Sequence, residues 1–585
     1  MTQAVQNWPD QARILSLPRR VWGERETAEI VERMTALFRT RAGTQTLLPH
    51  QAIALAEALA YPDGLFVPLP VGAGKTLISF LLMRAFSMKL GLVRPLLVTR
   101  ASLVEKTHDE ALAYRRDWVL PTLYRVESYE KLARVQAADF WRDYAPDLVI
   151  LDESQAVKNR GASVTRRVFR YLHANEAVPL VAMTGSPIGT SIRDCAHVIG
   201  RCLRERSPLP LHPQAVLEWS RALDVEVPPL QRLEPGALAD LCAPGEPVNV
   251  AIGRRVIETP GVITMRGTTI DTPIEIRSLV APHDAAQTEA MRNLRELGAR
   301  PDGELAEDSI AIWRHAREIA LGFFSFWDPK PPAEWIDARR AWHAICRDTL
   351  EHNRRDLDSA EQLARHVVAH PDHYPDVLEA YVRWKRAEPL YRIQTRETWI
   401  SASTVQWIAQ WLDREGGTAR ARSLIWTDRP AFGAMLSTVL GIPYHGENGL
   451  DARGVRLDTL KSGPAIASSG ACGTGLNLQH AFSRNLCTDI PKQPIRWEQR
   501  IGRTHRIGQK APKVEIDLLF GVIEDARAFS LACEHAANAQ ALTAQPQKLC
   551  SADTTGVAAP EDFSHEREPR WMKAQSEGSA FRSRA

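Results

Sequence analysis

The chain has 585 residues, 44% apolar and 24% charged, with 73 basic side chains against 70 acidic ones and a net charge of +3. That length predicts two to four domains with large cores. The near balance of charge excludes polyanion binding by bulk charge, so any nucleic-acid contact must come from local surfaces. Eight scattered cysteines without a C-x-x-C pair argue against a disulfide framework or zinc module and for reduced thiols. No apolar leader and no run of 18 apolar residues occurs, which predicts a cytoplasmic protein with no membrane partner.

In chain order, residues 1–40 read as a helical lead-in, with ETAEIVERMTALFRTR at helical spacing. Residues 41–280 read as a first α/β domain. Its short apolar runs GLFVPLP, PLLVTR, DLVILDE and PLVAMTG alternate with helical patterns, as parallel strands buried on both faces do. The strand-like DTPIEIRSLVAP closes that domain. Residues 281–420 read as a helical insertion holding eight of the sixteen tryptophans, whose spacing favours core packing over base-stacking platforms. Residues 421–545 return to strand–helix alternation in ARSLIWTD, GPAIASSG and KVEIDLLF, a second α/β domain. The polar, aperiodic stretch 546–585 reads as a disordered tail.

Three stretches carry chemistry. PLPVGAGKTLISFLL places Gly72, Gly74, Lys75 and Thr76 between a strand and a helix. Glycines there let backbone wrap phosphates at a helix N-terminus, Lys75 reaches the β/γ-phosphates, and the Thr76 hydroxyl binds Mg²⁺. The pattern departs from a full phosphate loop at Leu69, where glycine is usual. DLVILDESQAVKN ends a buried strand in Asp152 and Glu153. Asp152 is suited to hold Mg²⁺ and Glu153 to polarise an attacking water.

EQRIGRTHRIGQK concentrates Arg500, Arg503, His505, Arg506 and Lys510 in thirteen residues. Arg503 and Arg506, three apart, share a helix face and suit bidentate phosphate contact, with Gln499 one turn earlier facing nucleotide or a neighbouring loop. Arg500 and Lys510, off that pattern, read as surface charge.

The order of motifs resembles the superfamily-two helicases, closest to the Swi/Snf-type DNA translocase ATPases. LLPHQ resembles the adenine-reading segment, with Gln51 as base contact. VGAGKT resembles motif I, whose Val71, Gly72, Ala73, Gly74, Lys75 and Thr76 bind nucleotide. LLVTRASLVEK, ESYEKL, DESQAVKN and MTGSPIGTS are similar to motifs Ia, Ib, II and III. SLIWTD, SSGACGTGLNLQHA and QRIGRTHRIGQ are similar to IV, V and VI, covering about 45–200 and 420–525 in the expected order.

The resemblance implies two RecA-like parallel-sheet domains with helical insertions around an ATP·Mg²⁺ cleft. Lys75, Asp152, Glu153 and the fingers Arg503 and Arg506 are then catalytic, Thr76 and Asp152 hold metal, and Gly475 and Gln499 lie at the nucleotide. It also implies movement along double-stranded DNA, with backbone contacts from Thr99, Arg100, Ser102 and Asn477. The basic run NRGASVTRRVFR (159–170) reads equally as a second DNA-contact stretch or as a solvated helix face. Gln155 stands where the family carries histidine, which implies altered coupling between motifs II and III. An RNA or single-strand helicase, and a catalytically silent nucleic-acid adaptor, are the alternatives.

Overall fold

The computed structural model describes every residue except 1–2, 7, 71, 135, 266–269, 307, 353–356, 474 and 564–585. Two all-parallel sheets organise it. The first takes β1 (Gly64–Pro68), β2 (Pro95–Thr99), β3 (Arg125–Ser128), β4 (Leu148–Leu151) and β5 (Leu180–Thr184) in the order β1-β5-β4-β2-β3. β1, β2, β4 and β5 are almost wholly apolar because both faces are covered, while the edge strand β3 is mixed, with Arg125, Glu127 and Ser128 in four residues. Leu65, Val67, Leu97 and Ile150 enter one core, while Phe66, Val98, Val149 and Leu151 enter the other.

The second sheet has seven strands. β6 (Ile274–Val280) precedes the insertion. The insertion carries a separate antiparallel pair, β7 (Phe323–Trp327) with β8 (Thr395–Trp399). There follow β9 (Ser423–Thr427), β10 (Tyr444–His445), β11 (Ala465–Ser468), β12 (Arg484–Cys487), β13 (Val514–Phe520) and β14 (Asp553–Gly556). The sheet order is β10-β11-β9-β12-β13-β6-β14. The fold class is thus α/β with two parallel sheets and abundant helix.

Three boundaries differ from the sequence reading. DTPIEIRSLVAP does not close the first domain: β6 pairs with β13 over seven residues, from Val514↔Ile274 to Phe520↔Val280. Its alternate side chains Ile274 and Ile276 are buried in the second core, which a strand at the rim of the first sheet would leave unpartnered. The stretch expected to be disordered starts with structure: the Lys548–Ser551 helix buries Leu549, and β14 adds a strand beside β6. Residues 564–585 lie outside the described ones. The lead-in is not a separate piece either, since Ile14 joins one first-sheet core and Ile30, Met34 and Phe38 join the other.

The helix Ile523–Thr543 ties the lobes together. Phe529, Ala532 and Ala536 lie in the second-lobe core, while Ala539 and Leu542 lie in the first. Near its end Ala541 O approaches Gly253 so closely that a Cβ would sit 1.9 Å away. Glu226 of the first lobe accepts from Lys492 Nζ at 3.0 Å and from His535 Nε2 at 3.2 Å. The insertion makes its own link to the first lobe, Arg167 donating to both carboxylate oxygens of Asp358 at 2.8 and 2.6 Å. Among the described residues, no helix is long and apolar enough to cross a membrane.

Candidate functional site

Beyond β1 the chain turns through Gly72 and Gly74 into the helix Lys75–Leu90. Gly74 has φ 74° and ψ 33°, and a Cβ there would come within 2.6 Å of Gln51 Nε2. A side chain would be strained twice, by the left-handed backbone and by Gln51. Gln51 is held from its other end, its Oε1 accepting from Leu48 N at 3.0 Å. His50 donates Nε2–H to Ala73 O at 2.8 Å, and burial holds its pKa below the usual histidine range. These contacts stitch the Pro49–Ala60 helix to the turn.

Lys75 Nζ donates to Leu69 O at 3.0 Å and Pro70 O at 3.2 Å, folded back over the turn it follows. Leu69 itself is fully buried with no left-handed backbone, so this position has no need of the glycine usual there. Val71 lies outside the described residues.

Asp152 and Glu153 stand at the carboxyl end of β4, on the same sheet edge. Asp152 Oδ1 accepts from Glu153 N at 3.0 Å, and Thr99 Oγ1 lies 3.4 Å from Oδ2. Burial, then the neighbouring Glu153 charge, pushes the Asp152 carboxyl up to about 6. Glu153 goes the other way. Burial opposes its ionisation, but the Lys75 charge, a Gln155 hydrogen bond and Arg503 outweigh it and lower its pKa.

Glu153 adopts φ 53°, a conformation non-glycine residues avoid and functional sites retain. Its Oε2 accepts from Gln155 Nε2 at 2.5 Å, Gln155 Oε1 accepts from Thr184 Oγ1 at 2.7 Å, and Thr184 Oγ1 accepts from Ser186 N at 3.1 Å. Gln155 is therefore a physical link from the acid pair to the 183–191 segment.

The second lobe presents the helix Pro494–Thr504, where Arg503 is 4% exposed. Arg503 donates Nε–H to Gln499 O at 3.0 Å and Nη1–H to Leu476 O at 3.1 Å. Burial, reinforced by Arg506, pushes Arg503 down to about 10. Arg506 donates to Asn477 Oδ1, and its Cγ would lie 3.8 Å from a Cβ on Gly72, across the gap between lobes.

One cavity of about 360 Å³ is lined by Gly72, Gly74, Lys75, Thr76, Asp152 and Glu153 from the first lobe and by Gly475, Asn477, Arg503 and Arg506 from the second. Neither a protein-family model nor a curated protein matches the chain.

The site also contains residues that the sequence reading left out. Lys106, Thr107, Glu110 and Tyr114, all on the helix Val104–Tyr114, line the same cavity. Lys106 Nζ donates to Gly475 O at 3.2 Å, and a Cβ on Gly475 (φ 79°) would meet Leu103 Cδ2 at 2.7 Å. Their i, i+1, i+4, i+8 spacing after β2 resembles one face of any helix, so only the packing reveals their address. Gln499 meets Arg503 through its carbonyl, and its side chain is not among the lining groups.

Three expectations change. Arg500 is not surface charge: it is 5% exposed, bonded to Asp489 O at 2.9 Å and to the Asp489 carboxylate, and lies 5.2 Å from the Trp497 ring. Thr99 is fully buried beside Asp152, away from any external phosphate. Within 159–170, Arg167 is consumed by its buried pair with Asp358.

Proposed function

We propose that the chain is an ATP hydrolase of the superfamily-two type, closest to the Swi/Snf-type translocases, whose two RecA-like lobes close on ATP to move along double-stranded DNA. The observation that carries this reading is the single cavity joining Gly72, Gly74, Lys75, Thr76, Asp152 and Glu153 to Arg503 and Arg506 of the other sheet. A glycine turn at a helix N-terminus, a lysine, paired carboxylates and opposing guanidiniums form a set matched to a polyphosphate and to little else.

The donors fit Mg²⁺: the Thr76 hydroxyl and the Asp152 carboxylate are hard oxygens, and too few protein ligands line the cavity for a metal bound without water and phosphate. When bound, Mg²⁺ offsets charge on the β- and γ-phosphate oxygens. Lys75 exchanges its two carbonyl partners for phosphate oxygens. Glu153, held ionised by the Lys75 charge ahead of the Gln155 hydrogen bond and oriented by Gln155, accepts hydrogen bonds from the attacking water. Arg503 and Arg506 stabilise charge on the transferring phosphoryl group, an effect worth about 10³–10⁵ in rate in related chemistry. The hydrogen-bonded chain Glu153–Gln155–Thr184 offers a route by which loss of that group from the cleft would reach the 183–191 segment. The duplex-DNA partner rests on the motif order alone.

ATP turnover measured with duplex DNA, single-stranded DNA and RNA tests the proposal. Duplex stimulates the wild type, and Glu153→Gln loses at least about 100-fold in turnover while still binding ATP. Unchanged turnover in Glu153→Gln with nucleic-acid binding intact would leave the silent adaptor. Stimulation by RNA or single strands alone would overturn the duplex assignment.

A further inference from the structure

The residues behind the two arginines come from the segment least expected to matter. Helix Pro494–Thr504 ends at His505, whose N–H still bonds to Ile501 O at 2.8 Å, and Arg506 follows the break. The orientation of Arg506 therefore depends on how the chain turns at His505, while Arg503 sits in the last helical turn before it, bonded to Gln499 O and Leu476 O. That imidazole is 6% exposed and gripped from two sides: Nε2 lies 2.8 Å from Thr272 O and Nδ1 lies 3.0 Å from Lys548 Nζ. An ammonium only donates, so Nδ1 must accept, and Nε2 must carry the proton given to Thr272 O. The ring is fixed as one neutral tautomer. Burial, with the Lys548 charge, pushes its pKa down to about 4.

Lys548 is equally constrained. Its backbone N–H donates to Glu498 Oε1 at 2.5 Å, on the same helix as Arg503, and its Nζ also reaches His505 O at 3.4 Å. Leu549 is buried in the second-lobe core, Gln547 N–H bonds to Gln540 Oε1 at 2.8 Å, and β14 then pairs with β6. The strap 546–556 thus hangs on three anchors and places one cation under the finger turn. The half-buried Lys548 charge, near enough to be felt by Arg506 and Arg503, also raises the positive potential where a phosphate would sit.

We propose that Lys548 is a positioning residue for Arg506, holding the His505 turn so that this guanidinium faces the cleft beside Arg503. The catalytic apparatus then includes the carboxyl-terminal strap. This rests on the ATP-hydrolase reading for its kinetic consequence, but the positioning itself can be read without nucleotide.

Full-length Lys548→Met and Lys548→Arg are compared with wild type in steady-state ATP turnover, thermal melting and amide hydrogen exchange without nucleotide. Lys548→Met is expected to lower kcat about tenfold with KM for ATP changed less than threefold, as small misplacement of catalytic groups does. Its exchange should quicken within 501–510, and Lys548→Arg should recover most of both. Exchange in 501–510 equal to wild type would overturn the proposal, as would a Lys548→Met kcat within twofold. So would equal losses in both variants accompanied by a global fall in melting temperature. If the wild type hydrolyses no ATP, the enzyme reading fails, and the exchange data alone decide the role of Lys548.

Discussion

Replacing Arg500 by alanine separates a core ion pair from surface charge. The side chain is 5% exposed and gives two bonds to Asp489, itself 8% exposed; Asp489 Oδ1 keeps one further donor, Ser469 Oγ at 2.7 Å. Its guanidinium also lies 5.2 Å from Trp497 and 5.9 Å from Trp426. Removal strands a buried carboxylate with one hydroxyl for company and opens space between two tryptophans. Breaking one side of a buried pair costs about 3–5 kcal/mol. For a unit of 150–250 residues each kcal/mol lowers the melting midpoint by about 2–4 °C, so the expected fall is about 6–20 °C. The double variant Arg500→Met/Asp489→Asn should lose less than Arg500→Ala, because it leaves no unpaired charge. Calorimetry or circular dichroism reads both. A shift of under 2 °C in Arg500→Ala, the size usual for an exposed substitution, would refute the buried pair and return Arg500 to the surface.

Three more outcomes are expected. Arg167→Ala breaks the bidentate pair with Asp358, whose side chains are 2% and 0% exposed, and should cost about 3–5 kcal/mol. Arg167→Lys should recover only part, since one ammonium cannot match two oxygens, and urea titration measures each. Gly475→Ala places a side chain at φ 79° against Leu103 and should cost about 1–2 kcal/mol from backbone alone; an unchanged melting curve would contradict that contact. His505 has its pKa depressed to about 4, so between its ordinary value near 6.5 and 4 the unfolded chain binds the extra proton. Stability should therefore fall as pH drops through that window, and His505→Asn should flatten the fall in a series of melts.

Four strands of the first sheet were readable because they are short apolar runs, the mark of parallel strands covered on both faces; the edge strand Arg125–Ser128, with Arg125 and Glu127, gives no such signal. Lys75, Asp152, Glu153, Arg503 and Arg506 were readable because each sits where a strand or helix ends, and the structure brings all five to one cavity. What escaped has physical reasons. β6 has the same local pattern whichever sheet it joins, and only its pairing with β13 decides. Arg500 and Arg503 are alike in sequence, yet Asp489 captures one and the cleft receives the other. The strap at 546–556 has too few apolar residues to signal a core. It is ordered by bonds from Gln540, Glu498 and β6, partners supplied by distant chain.

The position of β6 also governs how the polypeptide can be divided. It lies between β13 and β14, although some 140 residues separate it from β9, the next strand of that sheet in the chain. A fragment beginning near residue 421 would leave β13 with a bare edge seven residues long and β14 with no neighbour, an invitation to recruit strands from other molecules. A fragment ending before β9 would strip Ala539 and Leu542 from the first-lobe core. The lobes are interleaved along the chain rather than strung in series, so exchange of one lobe between proteins of this architecture must carry β6 and the bridging helix with it.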